Sequence, residues 1–452
     1  REAILIRRLL SMQKNHICLQ KFLLSLLLIF LSNTSSAEDA SKILTISEGL
    51  RLATDNNRLI KIASLNKNMA SADILIARSK LLPSINTSLR QTYLTHQPGA
   101  IFGSDKVFVS QKEYLSYGIN LYQTIYDFGT NISRYEASKT FLDVTDLDIA
   151  RIRNLVALDF INACYDLLET EKMIMVTEKE VQRFESHLKV AQDLYADGVI
   201  TKNDLLQSEV RLSDAKQRLL TTKNKRSVDV SNINNILARP INAGLQVVDV
   251  TMDTFKDIEL EKAWDTAEKE RREIKIIDHE LKIIDLEEKA TKSEYYPKLF
   301  AQGGYNFTEN RYQFPEGNWS LILGIDLNLF SGWSTKAEVL KVLHRREQLL
   351  EEKRKLMDDI KLEVEKSFLG LKNSLEKILV TKGAASQADE NLRINKVRYE
   401  EGIGTSTDVI DAITLLTLAE TNYCKSVYDL KRAQAELRYA MGLDLVLVYA
   451  NQ

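Results

Sequence analysis

Two stretches of this chain, 204 residues apart (195 to 399), repeat one another. The first reads Tyr195-Ala196-Asp197-Gly198 and continues to Asp204-Leu205-Leu206. The second reads Tyr399-Glu400-Glu401-Gly402 and continues to Asp408-Val409-Ile410. Each ends a run of 67 residues without proline, Thr130–Ala196 and Ser334–Glu400. Upstream of each run stands an x-x-Pro triplet, Leu81-Leu82-Pro83 and Tyr295-Tyr296-Pro297, followed by two segments that alternate apolar and polar residues. A matching order of elements over half the chain is an internal duplication, and the repeated unit dictates the fold.

Each repeat opens with a helical pattern. In the first, Leu50, Ala53, Leu59, Ile62, Leu65, Met69, Ala72 and Ile76 recur at helical steps, which predicts a helix over 46–77. In the second, the expected helix is 260–292. The period then changes to two. Strands are predicted over Ser84–His96 and Tyr114–Tyr126, joined by a loop of about 17 residues, and over Lys298–Thr308 and Trp319–Phe330. Ile85, Leu89, Tyr93, Leu115, Tyr117, Ile119, Leu121, Leu299, Tyr305, Trp319, Leu321, Leu323 and Ile325 fall on one set of faces. Asn86, Ser88, Gly118, Asn120, Gln302, Gly304, Asn306, Ser320 and Asn328 fall on the other.

After the strands come the 67-residue runs, each roughly 100 Å long as a single helix. Further helices are predicted over 202–237 and 406–441. Five prolines and 17 glycines in 452 residues fit so helical a chain. A helix this long has to bury an apolar stripe along its whole length. Leu155, Leu158, Ile161, Leu168, Ile174 and Val181 supply one. The helix before Pro83 and the helix after Gly198 together match its span, a coiled-coil-like wall.

The strands are long enough to cross a hydrocarbon layer when tilted, apolar side to lipid and polar side to water. Four strands cannot close a barrel, and an open edge in lipid leaves backbone groups unpaired. If these strands cross a membrane, several chains combine; the alternative is a soluble sheet packed on helices.

The first residues read as a targeting segment. Lys14 and Lys21 precede the apolar run Phe22–Leu31, and Ser35-Ser36-Ala37 supplies a small-x-small cleavage site. The run is too short to span a bilayer as a helix. Met12 is the expected start, with residues 1–11 upstream of it. Removing 1–37 takes the net charge from −2 to −6, which implies no nucleic-acid partner. The expected organisation is 1–37 signal peptide, 38–243 first repeat, 244–259 mixed linker, 260–443 second repeat and 444–452 C-terminal tail. Export permits disulfides, but Cys164 and Cys424 are expected at different heights and unpaired.

Together these features resemble the TolC-type outer-membrane efflux family, over about residues 44–443. The residues that carry the resemblance are the paired repeat, the two x-x-Pro lead-ins, and the two Tyr-x-x-Gly turns with an Asp six residues on. Gln123-Thr124-Ile125-Tyr126-Asp127-Phe128-Gly129 and Leu327-Asn328-Leu329-Phe330-Ser331-Gly332 complete the set. The resemblance implies a mainly α protein with membrane β. It implies a homotrimer in the bacterial outer membrane, whose 12-stranded β-barrel continues into an α-helical periplasmic tunnel. It implies as partners a periplasmic adaptor, an inner-membrane transporter and outer-membrane lipid. The cargo is expected to be small molecules (drugs, metals) or an unfolded secreted protein. The other function class is an exported periplasmic coiled-coil adaptor or structural protein without a pore.

The resemblance also places Asp408 and Asp411 at a narrow periplasmic mouth, where rings of carboxylates favour cations; helix capping is the plainer reading. Asp204 and Tyr399 match positions that hold the mouth closed through links to an arginine, whose place here is taken by Gly404. Gly198 and Gly402 match the turns that meet the adaptor. Nothing points to catalysis. Asp127-Phe128-Gly129 spells a kinase magnesium motif without its companions. His96, His187, His279 and His344 lack metal-ligand spacing. No cofactor and no metal site are expected.

Overall fold

The computed structural model describes residues 42–248 and 258–450; the predicted signal segment lies outside the described residues. Contacts divide the chain into a small unit, described at 42–43 and 243–246, and a main body holding the remaining described residues. Strands β1 (Lys42–Leu44) and β6 (Leu245–Val247) form a two-stranded sheet.

In the main body, the first repeat begins with two helices rather than one, α1 (Ile46–Asn56) and α2 (Arg58–Ser79). The break is at Asn57, whose ψ of 136° is not helical. Its Oδ1 accepts from the Leu59 amide at 2.8 Å, capping α2, while its Nδ2 donates to the Ile236 carbonyl at 2.9 Å. The second repeat breaks likewise, between α5 (Leu260–Glu270) and α6 (Arg272–Lys292), at Arg271. Arg271 is buried; its guanidinium meets Glu363 at 2.9 Å and lies over the Tyr439 ring at 5.4 Å. Both residues turn the chain because their side chains have distant partners to reach, a cause that local periodicity does not carry.

Each repeat then runs out through a strand and back through another. Strands β2 (Ser84–Tyr93), β5 (Glu113–Tyr126), β7 (Lys298–Thr308) and β8 (Gly317–Asp326) make one antiparallel sheet in the order β2-β5-β7-β8. The register aligns the apolar faces of all four strands. Ile85 faces Leu121 and Leu89 faces Tyr117; Ile119 faces Tyr305 and Tyr117 faces Phe307; Tyr305 faces Trp319 and Ala301 faces Leu323. Tyr117, Phe307, Tyr305 and Trp319 stack along this face at centroid distances of 4.8–6.4 Å. The opposite face pairs Asn86 with Asn120 and Asn306 with Asn318, and the diagonal side chains of Asn120 and Asn306 hydrogen-bond to each other at 3.2 and 3.3 Å. It also carries the stacked pair Tyr122 and Phe300 and the side chain of Ile322, apolar groups on a face expected to be polar. Asn328 lies past the end of β8, because the sheet stops at Asp326, four residues short of the expected Phe330. The long first loop holds a small hairpin, β3 (Gly99–Phe102) with β4 (Asp105–Phe108), which the sequence does not announce. Strands β2 and β8 are the sheet's two unpaired edges.

The long helices emerge as expected: α3 (Thr130–Ala196) with α4 (Lys202–Ile236), then α7 (Ser334–Glu400) with α8 (Ser406–Ala440). Helix α3 packs against α2 along its first part and α4 along its last; α7 packs likewise on α6 and then α8. Ile161, Leu168 and Val181 of the predicted stripe are buried, joined by Phe160, Tyr165, Val176 and Phe184. The buried surface of α3 is wider than one stripe because α3 also packs against α6 and α8. Ion pairs between α3 and α4 follow the antiparallel register: Glu185–Lys216, Glu180–Arg218, Glu178–Lys223 and Glu171–Arg226, at 2.8–3.2 Å. The predicted tail contains a short helix, α9 (Leu445–Ala450), in which Tyr449 is buried. Among the described residues no helix is long and apolar enough to cross a membrane.

Candidate functional site

Helices α3 and α7 both end in glycine turns. Gly198 (φ +73°) and Gly402 (φ +74°) adopt the left-handed conformation that side chains resist. Val199 N donates to Leu194 O and Ile403 N to Arg398 O, both at 2.9 Å, closing the same C-terminal motif twice. Behind each glycine an apolar side chain stands in the open, Val199 and Ile403.

Each turn leads into a capping box. Thr201 Oγ1 accepts from the Asp204 amide at 3.3 Å, and Asp204 Oδ2 accepts from the Thr201 amide at 3.1 Å. Thr405 and Asp408 repeat the pattern at 3.2 and 3.0 Å. Capping is therefore a real role of both aspartates. The Thr405 amide and hydroxyl hold the Asp408 carboxyl below the usual carboxylate range. Asp408 and, three residues on, Asp411 are exposed, whereas Asp204 is half-buried.

Tyr399 is buried at 3% exposure. No hydrogen bond joins it to Asp204, whose carboxylate is turned to Thr201; the Tyr399 hydroxyl is buried beside Ser406 without completing a hydrogen bond of ordinary geometry. At Gly404, a Cβ would stand 3.1 Å from the backbone of Arg398 and Tyr399, so the α7 end closes over the position.

The two turns lie at the same end of the helices. Ser208, ten residues after Gly198, and Ser406, four after Gly402, bring their hydroxyls within 3.3 Å. His187 Nε2 lies 2.9 Å from Ser406 Oγ, and its ring lies 5.1 Å from that of Tyr399. Below this polar contact an apolar cluster joins Val181, Phe184, Ala215, Leu392, Ile410, Ile413 and Leu416. Arg183 makes a two-pronged ion pair with Glu420 at 2.8 and 2.9 Å. Sequence reasoning passed over His187 because its partners come from other helices. The one local signal was a histidine on the helical face that also carries Phe184 and Ala191.

Asp127, of the kinase-like triplet, accepts from the amides of Gly129 (3.2 Å) and Asn131 (2.9 Å) and so organises the turn into α3. Among the described residues no group of acidic, histidine or cysteine side chains could hold a metal ion. Cys164 and Cys424 are free thiols.

The family described as outer membrane efflux protein matches residues 49–239 and 264–443. The alkaline protease secretion protein AprF of Pseudomonas aeruginosa is 21% identical over 76% of this chain and 74% of its own length. The probable efflux pump outer membrane protein TtgC of Pseudomonas putida is 20% identical over 79% and 74%. The crystal structure of the Campylobacter jejuni CmeC outer membrane channel superposes with a TM-score of 0.77 at 15% identity, over 88% of this chain and 85% of that one.

Proposed function

Because the chain belongs to the outer membrane efflux protein family, an outer-membrane family of channels and not of enzymes, we propose that it acts as a homotrimer giving cargo passive exit from the periplasm. The observation that carries this reading is the four-stranded sheet, with one continuous apolar face and two unpaired edges. In lipid those edges need partners. Three copies, pairing β8 of one with β2 of the next, close a twelve-stranded barrel whose apolar face meets lipid and whose asparagine-lined face meets water. The long helices continue the wall as a periplasmic tunnel. A pore-free adaptor has no use for such a sheet.

In this reading Gly198 and Gly402, with exposed Val199 and Ile403 beside them, form the surface offered to a periplasmic adaptor, itself joined to an inner-membrane transporter. Asp408 and Asp411 line the aperture, where six carboxylates in the trimer attract cations. Asp204 and Tyr399 lie behind them, the first as a cap and the second as a buried contact between the hairpins. Residues 1–37 are removed on export, leaving the repeats 38–243 and 260–443. The names of its relatives divide between protease secretion and efflux, and either cargo fits a passive duct.

Reconstitution of the purified protein in planar bilayers tests the proposal. Discrete, cation-selective conductance steps together with a cross-linked trimer are expected. A monomer, or a trimer that never conducts, overturns it.

A further inference from the structure

Near the two turns lies a buried polar node that the duct itself does not require. It is built from four helices: His187 of α3, Ser208 of α4, Tyr399 of α7 and Ser406 of α8. All four side chains are at most 4% exposed. Buried polar contacts hold well only while every member keeps its partner and its charge state. Here the imidazole holds the second hairpin to the first through Ser406, and the Tyr399 ring packs on it.

The charged groups around the ring are few. Arg183, one turn away on α3, is neutralised by Glu420 of α8. On α4, Asp204 acts on Tyr399 only through space, its carboxylate being turned to Thr201. On α8, Asp408 is held by Thr405. On α7, Lys396 acts on the imidazole directly. Among the described residues no carboxylate lies within ion-pair distance of His187, so an imidazolium at this place is both dehydrated and repelled. Burial first, and Lys396 second, bring its pKa down to about 4.

We propose that His187 is a proton-operated latch: the neutral ring keeps the second hairpin closed on the first, and protonation releases it and opens the periplasmic end in acid. The proposal rests on the channel reading above. The direction follows from linkage. In the closed arrangement the ring titrates near 4, whereas a hydrated histidine titrates near 6.5. Protons therefore favour the open arrangement once the pH falls below about 6.5, and their effect saturates near 4. Between those limits the opening equilibrium of each protomer gains about tenfold per pH unit. Above about 6.5 the latch is insensitive to pH.

The test uses the full-length trimer in planar bilayers, without adaptor or pump, from pH 7.5 to 4.5. Wild type is expected to show an open probability that is flat down to about 6.5 and climbs steeply below it. His187→Gln, which can still hydrogen-bond Ser406 but cannot titrate, should lose the climb. Lys396→Gln removes the repulsion, so the climb should saturate at a higher pH and reach a smaller total rise. Ser208→Cys with Ser406→Cys, at positions whose hydroxyls are 3.3 Å apart, should trap the closed form once oxidised. Reductant should then release the trap and let the channel open. Conductance that stays flat with pH in wild type, or an equal climb in His187→Gln, overturns the latch and leaves the channel reading standing. No discrete conductance at any pH overturns both.

Discussion

Leu323 measures whether the sheet's apolar face meets lipid. It pairs with Ala301 across β7 and β8 and is 72% exposed in the single protomer. It lies about one and a half residues from the middle of Gly317–Asp326. At a rise of ~3.4 Å and a tilt of ~40° this is about 4 Å from the centre of the apolar band. Arginine that close to the midplane costs ~2–4 kcal/mol, and three copies multiply this to ~6–12 kcal/mol per trimer. Since each 1.4 kcal/mol is about tenfold in an equilibrium, Leu323→Arg should leave almost no trimer in outer-membrane fractions. Ser320→Arg is the control. Ser320 belongs to the same strand but the opposite face, beside Gly304, where a guanidinium can stay in lumen water. The assay is heat-resistant trimer on gels of outer-membrane fractions, normalised to total protein made. Normal assembly of Leu323→Arg with loss of Ser320→Arg would invert the facing and refute the barrel; equal assembly of both would show that the sheet is not in lipid.

Other consequences follow from the same geometry. Asp408→Asn with Asp411→Asn should weaken cation selectivity and relieve block by multivalent cations while keeping an acceptor at the Thr405 cap; unchanged reversal potentials would remove both residues from the aperture. Because Asp408 titrates below the ordinary carboxylate range, its share of the selectivity should persist as pH falls past the point where free carboxylates begin to lose charge, a profile readable in single-channel recordings. Cys164 and Cys424 should both be recovered as free thiols by mass spectrometry. Burial raises both thiol pKa values, but Cys164 is fully buried and Cys424 only half. A maleimide should therefore label Cys424 first in native protein and Cys164 only on unfolding, and the reverse order would contradict the packing. Asn57→Ala removes the α2 cap and leaves the Ile236 carbonyl without its donor. A loss of about 1–2 kcal/mol of stability is expected, and a melting temperature equal to wild type would refute the joint.

What could be read from the sequence was whatever local chemistry specifies. The long helices were legible because no proline interrupts them before Gly198 and Gly402, and because Thr201 and Thr405 stand three residues before aspartates. The strand faces were legible because a period of two is written into each segment, and pairing aligned the faces at Leu89, Ile119, Tyr305 and Leu323, the register shifting only between Thr124 and Tyr126 at the end of β5. The joints at Asn57 and Arg271 were not, since neither glycine nor proline marks them and each exists to satisfy a partner far along the chain. The small loop hairpin lacks sustained alternation. The mouth residues were legible as a pair of matching turns, but their hydrogen bonds were not. Whether Asp204 points to Tyr399 or to its own cap is decided by geometry that spacing does not encode.

The duplication also explains where the two halves stop being equivalent. A shift of 204 residues carries Tyr195 onto Tyr399, yet Tyr195 is 41% exposed and Tyr399 only 3%. The same shift carries His187 onto Asn391, Ser208 onto Ala412 and Lys202 onto Ser406. Of the four members of the polar node only Tyr399 keeps its residue type in the copy, and that copy, Tyr195, is exposed, so no second node is built. The first hairpin supplies the histidine and one serine; the second supplies the tyrosine and the other serine. A contact between two identical hairpins would have offered the same residues from both sides. The glycine turns and the capping boxes are kept in both hairpins, whereas the histidine and serine positions of the node are not. The turns therefore serve a task common to the two hairpins, and the node serves one that depends on their difference, the relation of one hairpin to the other. Movement of the second hairpin against the first must disturb that node before it disturbs either turn.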